Sequence, residues 1–129
     1  MNPEINERKV SFWGLKEITD LIVKTRFRFS DERQLQDRIE DLFKTNAIPY
    51  EREFIMSPAN RIDFLCGRIG VEVKVQSRAA SVERQLQRYS TDERIDGLIL
   101  VTTRAGHRVI GRELSNKPVV VAYLLSSIF

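Results

Sequence analysis

Hydrophobic positions in the first third of the chain recur every three or four residues, which is the spacing of one face of a helix. A first helix is predicted over residues 12–25 by the apolar positions Leu15, Ile18, Leu21 and Ile22. A second helix is predicted to end at Asn46, from the apolar stripe Leu35, Ile39, Leu42 and Phe43. We expect Ser30 to cap this second helix and Asp31 and Glu32 to lie in its first turn, where the helix dipole favours acidic side chains.

After the second helix the pattern changes to strands bounded by turn residues. Three consecutive strands are predicted, followed by alternating helices and strands: strands over 50–56, 61–66 and 69–76, a helix over 81–89, a strand over 97–103, a short helix over 107–114 and a strand over 118–125. The predicted order is α-α-β-β-β-α-β-α-β. An antiparallel start followed by strands joined through helices predicts an α/β fold (an α+β mixed sheet) with helices on both faces.

The composition is that of an ordinary globular protein. The 129 residues, of which 42% are hydrophobic, suit one domain spanning residues 1–129. The single cysteine excludes a disulfide framework and a cysteine-based zinc site, and it fits a reducing compartment. The sequence shows no signal-peptide core, no apolar run of the roughly 18 residues that a membrane helix needs, and no P-loop. We therefore expect a cytoplasmic protein with no membrane partner and no nucleotide cofactor.

Basic residues slightly outnumber acidic ones, 21 to 18, which gives a net charge of +3. Fifteen of the basic residues are arginines, and residues 68–129 hold 10 basic against six acidic residues. The planar arginine side chain can bind a phosphate through two parallel hydrogen bonds, so this bias points toward nucleic acid. On charge alone, an ordinary solvated surface remains the favoured explanation.

Side chains alternate between the two faces of a strand, so the charged and apolar positions of the central strands are expected on opposite faces. In the strand over 69–76, one face carries Glu72, Lys74 and Gln76, and the other carries Val71, Val73 and Val75. In the strand over 61–66, Ile62 and Phe64 are expected to share the face opposite Asp63. A valine-rich back and a charged front are therefore predicted.

The turn between these two strands decides which residues face each other. A two-residue turn over residues 67–68 has glycine first, as a type II′ turn requires. That turn sets Asp63 opposite Glu72, and it sets Arg61 opposite Lys74. Directly opposed residues have Cβ atoms roughly 4.5–5.5 Å apart. We therefore expect two carboxylates side by side with two cations next to them.

Adjacent carboxylates repel each other unless a positive charge lies between them. Lys74 and Arg61 could supply that charge, which would make the arrangement purely structural. Alternatively, Asp63 and Glu72 bind a divalent cation such as Mg²⁺, which prefers carboxylate and water oxygens. A metal ion there can lower the pKa of a bound water and neutralise charge on a phosphate, while Lys74 orients that water or stabilises the phosphorus centre. This is the minimum set of groups for hydrolysis of a phosphodiester.

A helix, three strands that carry Asp63, Glu72 and Lys74, a further helix and a strand follow one another in this chain. This arrangement resembles the PD-(D/E)XK nuclease superfamily, which has the restriction-endonuclease-like fold. The resemblance implies that Asp63 and Glu72 bind the metal, with the carbonyl of Val73 completing the shell, and that Lys74 is the catalytic lysine. Ile62 stands where the family name has proline. The implied cofactor is Mg²⁺, for which Mn²⁺ can substitute.

The resemblance covers residues 30–125 and leaves residues 1–29 as an N-terminal helical extension. Many members of the superfamily add a glutamate from the helix that precedes the hairpin. The candidates in this chain are Glu32 and Glu40. Glu32 is preferred because its distance to the end of the helix resembles that in small Holliday-junction-resolvase and virus-type replication-repair nucleases. An acidic residue that only serves the helix dipole is an equally good explanation of Glu32.

The helix over 81–89 contains the pattern Q-x-x-x-Y, formed by Gln85 and Tyr89. It is similar to a motif of helicase-associated exonucleases in the same superfamily, and the resemblance implies that both side chains contact DNA near the scissile phosphate. A plain surface helix is the alternative. Further candidates for holding the DNA backbone are Arg61, Gln76, Arg78, Arg84 and Arg88.

The leading hypothesis is a Mg²⁺-dependent deoxyribonuclease, a structure-selective endonuclease in DNA repair, recombination or phage replication. The family also implies a homodimer. The rival hypothesis is an inactive nuclease-fold module that binds DNA as a subunit of a larger complex. His107 has no serine, cysteine or second histidine as a catalytic partner in the pattern, and we expect it in a loop or at a helix start.

Overall fold

A six-stranded mixed sheet with helices on both faces forms the structure, a computed structural model that describes residues 13–124. Its helices are α1 (Leu15–Lys24), α2 (Glu32–Thr45) and α3 (Ala79–Ser90). Its strands are β1 (Glu51–Ser57), β2 (Asn60–Cys66), β3 (Ile69–Lys74), β4 (Gly97–Thr102), β5 (Glu113–Leu114) and β6 (Lys117–Tyr123). The predicted mixed α/β fold is confirmed.

The strands lie in the order β1-β2-β3-β4-β6-β5. The first three strands pair antiparallel, and β4 lies parallel between β3 and β6. Two points that were predicted, the helix start at residue 12 and the strand end at residue 125, lie outside the described residues. The carboxyl ends of the three parallel strands lie at one edge of the sheet, the edge that Lys74 reaches.

The element order differs from the predicted one between β4 and β6. The expected short helix over 107–114 is wrong, because this segment forms a 3₁₀ turn (Ala105–Val109) and then the two-residue strand β5. Ser115 and Asn116 both have positive φ angles, 53° and 61°, as a type I′ hairpin turn requires. This turn joins β5 to β6 and makes helical continuation impossible there.

The start of α2 is also shifted by one residue from the prediction. Asp31, not Ser30, is the N-cap, and its carboxylate accepts a hydrogen bond of 2.8 Å from the backbone N–H of Gln34. The backbone N–H of Ser30 donates to the side-chain oxygen of Gln34 at 2.9 Å. These two bonds satisfy donors at the helix start. They leave Glu32 as the first helical residue, with its side chain directed to β3.

Each face of the sheet has its own hydrophobic core. Residues of α1 and α2 cover one face: Ile18, Ile22, Leu35, Ile39 and Phe43, packed against Phe64, Val71 and Val73. Residues of α3 cover the other: Val82, Leu86 and Tyr89, packed against Leu98, Leu100 and Val119. The predicted helices on both faces are confirmed, and so is the burial of the valine face of β3.

The alternation of side chains is interrupted in the β1–β2 ribbon. Phe64 packs in the core under α1 and α2, whereas Ile62 packs in the core under α3, so the expectation that the two share a face is wrong. The interruption lies across from an irregular residue of the neighbouring strand, Glu53, which has a left-handed φ of 52°. The pairs on either side, Arg52 with Phe64 and Phe54 with Ile62, set Glu53 opposite Asp63. A left-handed residue bends and twists the ribbon at this point.

Candidate active site

The hairpin between β2 and β3 has the register that the sequence predicted. Gly67 has a φ of 61° and Arg68 does not have a positive φ, which fits a type II′ turn. The pairs that follow are Cys66 with Ile69, Leu65 with Gly70 and Phe64 with Val71. Continued by one residue beyond these ladder pairs, the register sets Asp63 opposite Glu72.

At Asp63 and Glu72 the side chains take over the hydrogen bonding between the strands. The backbone N–H of Asp63 donates to Oε1 of Glu72 at 3.2 Å. The backbone N–H of Val73 donates to Oδ2 of Asp63 at 2.8 Å. Each carboxylate therefore reaches across to the other strand, and the two acids are held side by side where β2 and β3 separate.

Lys74 and Glu32 complete this arrangement at the end of β3. The ammonium nitrogen of Lys74 lies 3.3 Å from Oε2 of Glu72. Glu32, the first residue of α2, accepts a hydrogen bond of 3.0 Å from the backbone N–H of Val75. Glu40 lies elsewhere on α2, where its carboxylate accepts from the hydroxyl of Tyr50 at 2.8 Å. Of the two candidate helix acids, Glu32 is the one beside the carboxylate pair.

These side chains line a cleft of about 520 Å³ that opens between the start of α2 and the middle of α3. Its lining residues are Asp31, Glu32, Arg33, Gln36, Glu53, Arg61, Asp63, Glu72, Lys74 and Gln85. Five of them are acidic and three are basic. Arg61 does not lie between the two central carboxylates, because its guanidinium is paired with Glu53 at 3.4 Å. Lys74 is therefore the cation in contact with the carboxylate pair, through its ion pair with Glu72.

Burial and repulsion from a neighbouring carboxylate raise the pKa values of both central acids. Burial raises the pKa of Asp63, and the charge of Glu32 acts in the same direction. Burial also raises the pKa of Glu72, whose side chain is 3% exposed, and the adjacent Asp63 charge adds to that rise. The ammonium of Lys74 lowers both pKa values but does not offset the burial. A further positive charge in the cleft would stabilise the ionised pair.

The donor atoms present fit a hard divalent cation. Among residues 13–124, no three Asp, Glu, His or Cys side chains converge as a ready metal cluster. Mg²⁺, however, is commonly bound through one or two carboxylates while it keeps several waters. Asp63 and Glu72 supply two such carboxylates. Because the N–H of Val73 points toward Asp63, its carbonyl oxygen lies on the same side of the strand and is a third oxygen donor.

The predicted DNA contacts fall into two groups. Gln85 lines the cleft and Arg61 lies at its edge, whereas Gln76, Arg78, Arg84 and Arg88 are exposed around it. Tyr89 is 1% exposed, so the prediction that it contacts DNA is wrong. Its hydroxyl donates to the carbonyl of Arg61 at 2.8 Å and accepts from Gln85 at 2.7 Å. The Q-x-x-x-Y pattern thus ties α3 to β2.

Arg33 and Glu53 line the cleft but were not predicted from the sequence. Arg33 follows Glu32 directly in the sequence, and it belongs to no sequence pattern that would predict a functional role. Glu53 could have been found only from the register of the first hairpin, in which it lies opposite Asp63. A register shift within β1, between Ile55 and Ser57, prevents this pairing from being counted back from the hairpin loop.

No helix within residues 13–124 is long and apolar enough to cross a membrane.

The cleft around Asp63 and Glu72 thus contains two neighbouring acids whose pKa values are both raised. Searches of known protein families, of curated proteins and of solved structures found no match to this chain.

Proposed function

We propose that the protein is a metal-dependent deoxyribonuclease of the PD-(D/E)XK type, which hydrolyses phosphodiester bonds as a structure-selective endonuclease. The observation that carries this proposal is the set of three charged residues at one point of the sheet. Asp63 and Glu72 lie side by side on adjacent strands, and the ammonium of Lys74 lies 3.3 Å from Glu72. Phosphodiester hydrolysis needs such a combination of oxygen ligands and a fixed cation.

Asp63, Glu72 and the carbonyl of Val73 would hold Mg²⁺ or Mn²⁺ in the cleft. When bound, such an ion would lower the pKa of a coordinated water and neutralise charge on the attacked phosphate. Glu32 lies beside this position, where its free oxygen can accept a hydrogen bond from a water in the cleft. A divalent ion between the two acids would stabilise their ionised forms, because its charge offsets the burial that raises both pKa values and the repulsion that Asp63 exerts on Glu72.

Lys74 has the position expected of a group that acts on the phosphate. Its side chain is 19% exposed, so its charge is held at the cleft and only partly screened by solvent. The ion pair with Glu72 fixes the ammonium group before substrate arrives. From there it can orient the attacking water or stabilise the negative charge that develops on phosphorus oxygens.

DNA is the substrate that the surroundings of the cleft favour. Exposed arginines lie on its α3 side, at Arg78, Arg84 and Arg88, and arginine binds phosphate oxygens in pairs. Cleavage at branches, flaps or ends is the structure-selective action proposed for the protein. A homodimer in the cytoplasm that acts in repair, recombination or phage replication fits this activity.

The experiment that tests this proposal is a cleavage assay. Branched, single-stranded and supercoiled DNA are incubated with the protein and Mg²⁺, Mn²⁺ or EDTA. We expect cleavage that requires the metal and falls by at least about 100-fold in Lys74→Ala. Lys44→Ala, which removes an exposed lysine at the far end of α2, is the matched control and should cleave like the unaltered protein.

Two results would contradict the nuclease proposal. Cleavage that persists in EDTA or in Lys74→Ala would come from another site or a contaminant. Salt-sensitive DNA binding without any cleavage would instead support the rival hypothesis, a nuclease-fold module that binds DNA as part of a larger complex. The thermal midpoint of each variant is measured alongside, so that loss of activity is separated from loss of folding.

A further inference from the structure

A row of three paired residues crosses the sheet at the carboxyl ends of its parallel strands. Lys74 on β3 pairs with Thr102 on β4, and Thr102 pairs with Tyr123 on β6. Neighbouring strands lie about 4.8 Å apart, so the backbones of Lys74 and Tyr123 are separated by about 10 Å. This row connects the cleft to the surface around Tyr123 by a short and rigid path.

A buried histidine in the 3₁₀ turn, His107, bonds both the loop that follows β3 and the middle residue of this row, Thr102. His107 is 1% exposed, and its Nε2 donates to the carbonyl of Ser77 at 2.8 Å. Its Nδ1 lies 2.7 Å from the hydroxyl of Thr102. The 3₁₀ turn that carries His107 is thereby fixed against the loop that leaves β3. Residues next to Ser77 and next to His107 consequently share one rim of the molecule.

Three exposed arginines occupy this rim. Arg78 follows Ser77, and Arg104 and Arg108 lie on either side of His107. The guanidinium carbon of Arg108 lies 5.2 Å from the centre of the Tyr123 ring, a contact that orients the side chain without cancelling its charge.

Within the described part of the chain, none of these three arginines is held in an ion pair with an acidic side chain, a property they share with Arg84, Arg88 and Arg112. Among residues 13–124, ion pairs with acidic side chains engage Arg38, Arg52, Arg61, Arg68 and Arg94. No ion pair within the same residues engages Arg78, Arg104 or Arg108. The segment over 103–112 contains three arginines and no acidic residue at all. The positive charge of the rim is therefore left for a ligand.

We propose that Arg78, Arg104 and Arg108 form a second phosphate-binding surface, which holds the DNA backbone next to the cleft in which it is cut. The inference rests on the proposed function for its choice of DNA and for the position of the cut. The row of paired residues sets the backbone of Tyr123, whose ring contacts Arg108, about 10 Å from that of Lys74. Arginine forks match phosphate oxygens, and the rim offers three of them beside the cleft.

The test is DNA binding in EDTA, where no metal-dependent cleavage occurs. Affinity for a single-stranded and a branched oligonucleotide is measured by fluorescence anisotropy over a series of salt concentrations. The logarithm of the affinity falls as the logarithm of the salt concentration rises. Arg104→Gln and Arg108→Gln should each reduce the magnitude of this negative slope by about 1, and the double variant should reduce it by about 2. Arg108→Lys keeps the charge and should keep the slope. Lys44→Gln removes the same charge far from the rim and should change neither slope nor affinity.

The outcomes separate this inference from the proposed function. If Arg104→Gln and Arg108→Gln bind DNA as Lys44→Gln does, the rim surface is overturned, even when the unaltered protein cleaves DNA. If these variants lose binding while the unaltered protein cleaves nothing, the rim surface stands and the nuclease proposal fails. Tighter binding of an RNA oligonucleotide of the same sequence would overturn the assignment to DNA.

Discussion

The backbone N–H of Asp63 donates a hydrogen bond of 3.2 Å to the carboxylate of Glu72, so the two acids are joined across neighbouring strands. In return, the carboxylate of Asp63 accepts from the N–H of Val73. These two side-chain contacts join β2 and β3 beyond their last ladder pair, Phe64 with Val71. They hold two carboxyl groups close together at a site where burial raises the pKa of each.

The stability of the metal-free protein is expected to fall as pH rises above the ordinary range of a carboxyl group. Burial raises the pKa of Glu72 in the folded state, so the folded state binds more protons than the unfolded state between the ordinary and the raised pKa. The stability that protonated Glu72 contributes is fully present at pH values below its pKa in the unfolded state. This stability is lost as the pH rises through its pKa in the folded state. In EDTA, Glu72→Gln should therefore raise the free energy of unfolding by on the order of 1–3 kcal/mol at about pH 8, and by little at about pH 5.

Thermal or urea denaturation of both proteins at the two pH values measures this effect. Glu51→Gln, an exposed acid at the start of β1, is the matched control and should show no such dependence on pH. A destabilised Glu72→Gln at the higher pH would contradict the buried-charge argument.

Added Mg²⁺ is expected to raise the thermal midpoint of the protein at neutral pH. A ligand that binds only the folded state stabilises it by mass action, and here it also relieves the repulsion between Asp63 and Glu72. Asp63→Asn should lose this shift, whereas Asp41→Asn, an exposed acid on α2, should keep it. An equal shift in both variants would mean that the ion binds outside the cleft.

Substitutions of the two glutamates on α2 are expected to have different consequences. Glu32→Gln should weaken metal-dependent cleavage, because Glu32 lies beside the carboxylate pair through its bond to Val75. Glu40→Gln should leave cleavage unchanged but lower stability by about 1 kcal/mol, because Glu40 bonds the hydroxyl of Tyr50 and the guanidinium of Arg52. Cleavage rates over a range of metal concentrations, with denaturation curves, distinguish the two effects. The reverse result would make Glu40 the functional acid.

Tyr89→Phe is expected to act on stability and not on DNA binding. The hydroxyl of Tyr89 is buried and bonds the carbonyl of Arg61, so its loss leaves that acceptor without its partner and costs about 1 kcal/mol. DNA affinity in EDTA should match that of the unaltered protein. A loss of affinity without a loss of stability would restore the direct contact that the sequence pattern suggested.

The central hairpin could be predicted because local rules determine it. Gly67 at the first turn position and the alternation of valine with charge fix the register of β2 against β3, and the structure has that register. The same reasoning failed for Ile62 and Phe64. The regular alternation breaks between them, opposite the left-handed residue Glu53 of the neighbouring strand, and strict alternation along β2 cannot predict such a break.

Other differences have equally physical causes. The predicted cap was Ser30 and the observed cap is Asp31, because serine and aspartate both cap helices. The hydrogen bonds of Gln34 distinguish them: its N–H donates to the carboxylate of Asp31, whereas its side-chain oxygen accepts from the N–H of Ser30. The burial of Tyr89 could not be predicted, since a tyrosine at helical spacing can lie on either face of α3. Arg78 was predicted from the sequence, but its proximity to Arg104 and Arg108 could not be, because the contact of His107 with Ser77 joins segments 30 positions apart in the sequence.

The most direct test of the account is the position of a bound ion. Crystals of the protein soaked with Mn²⁺ should give an anomalous-scattering peak bonded to carboxylate oxygens of both Asp63 and Glu72, and the peak should be absent in crystals of Asp63→Asn. A Mn²⁺ ion that touches only one of these acids, or that binds only to acids outside the cleft, would contradict the claim that the pair holds the catalytic metal.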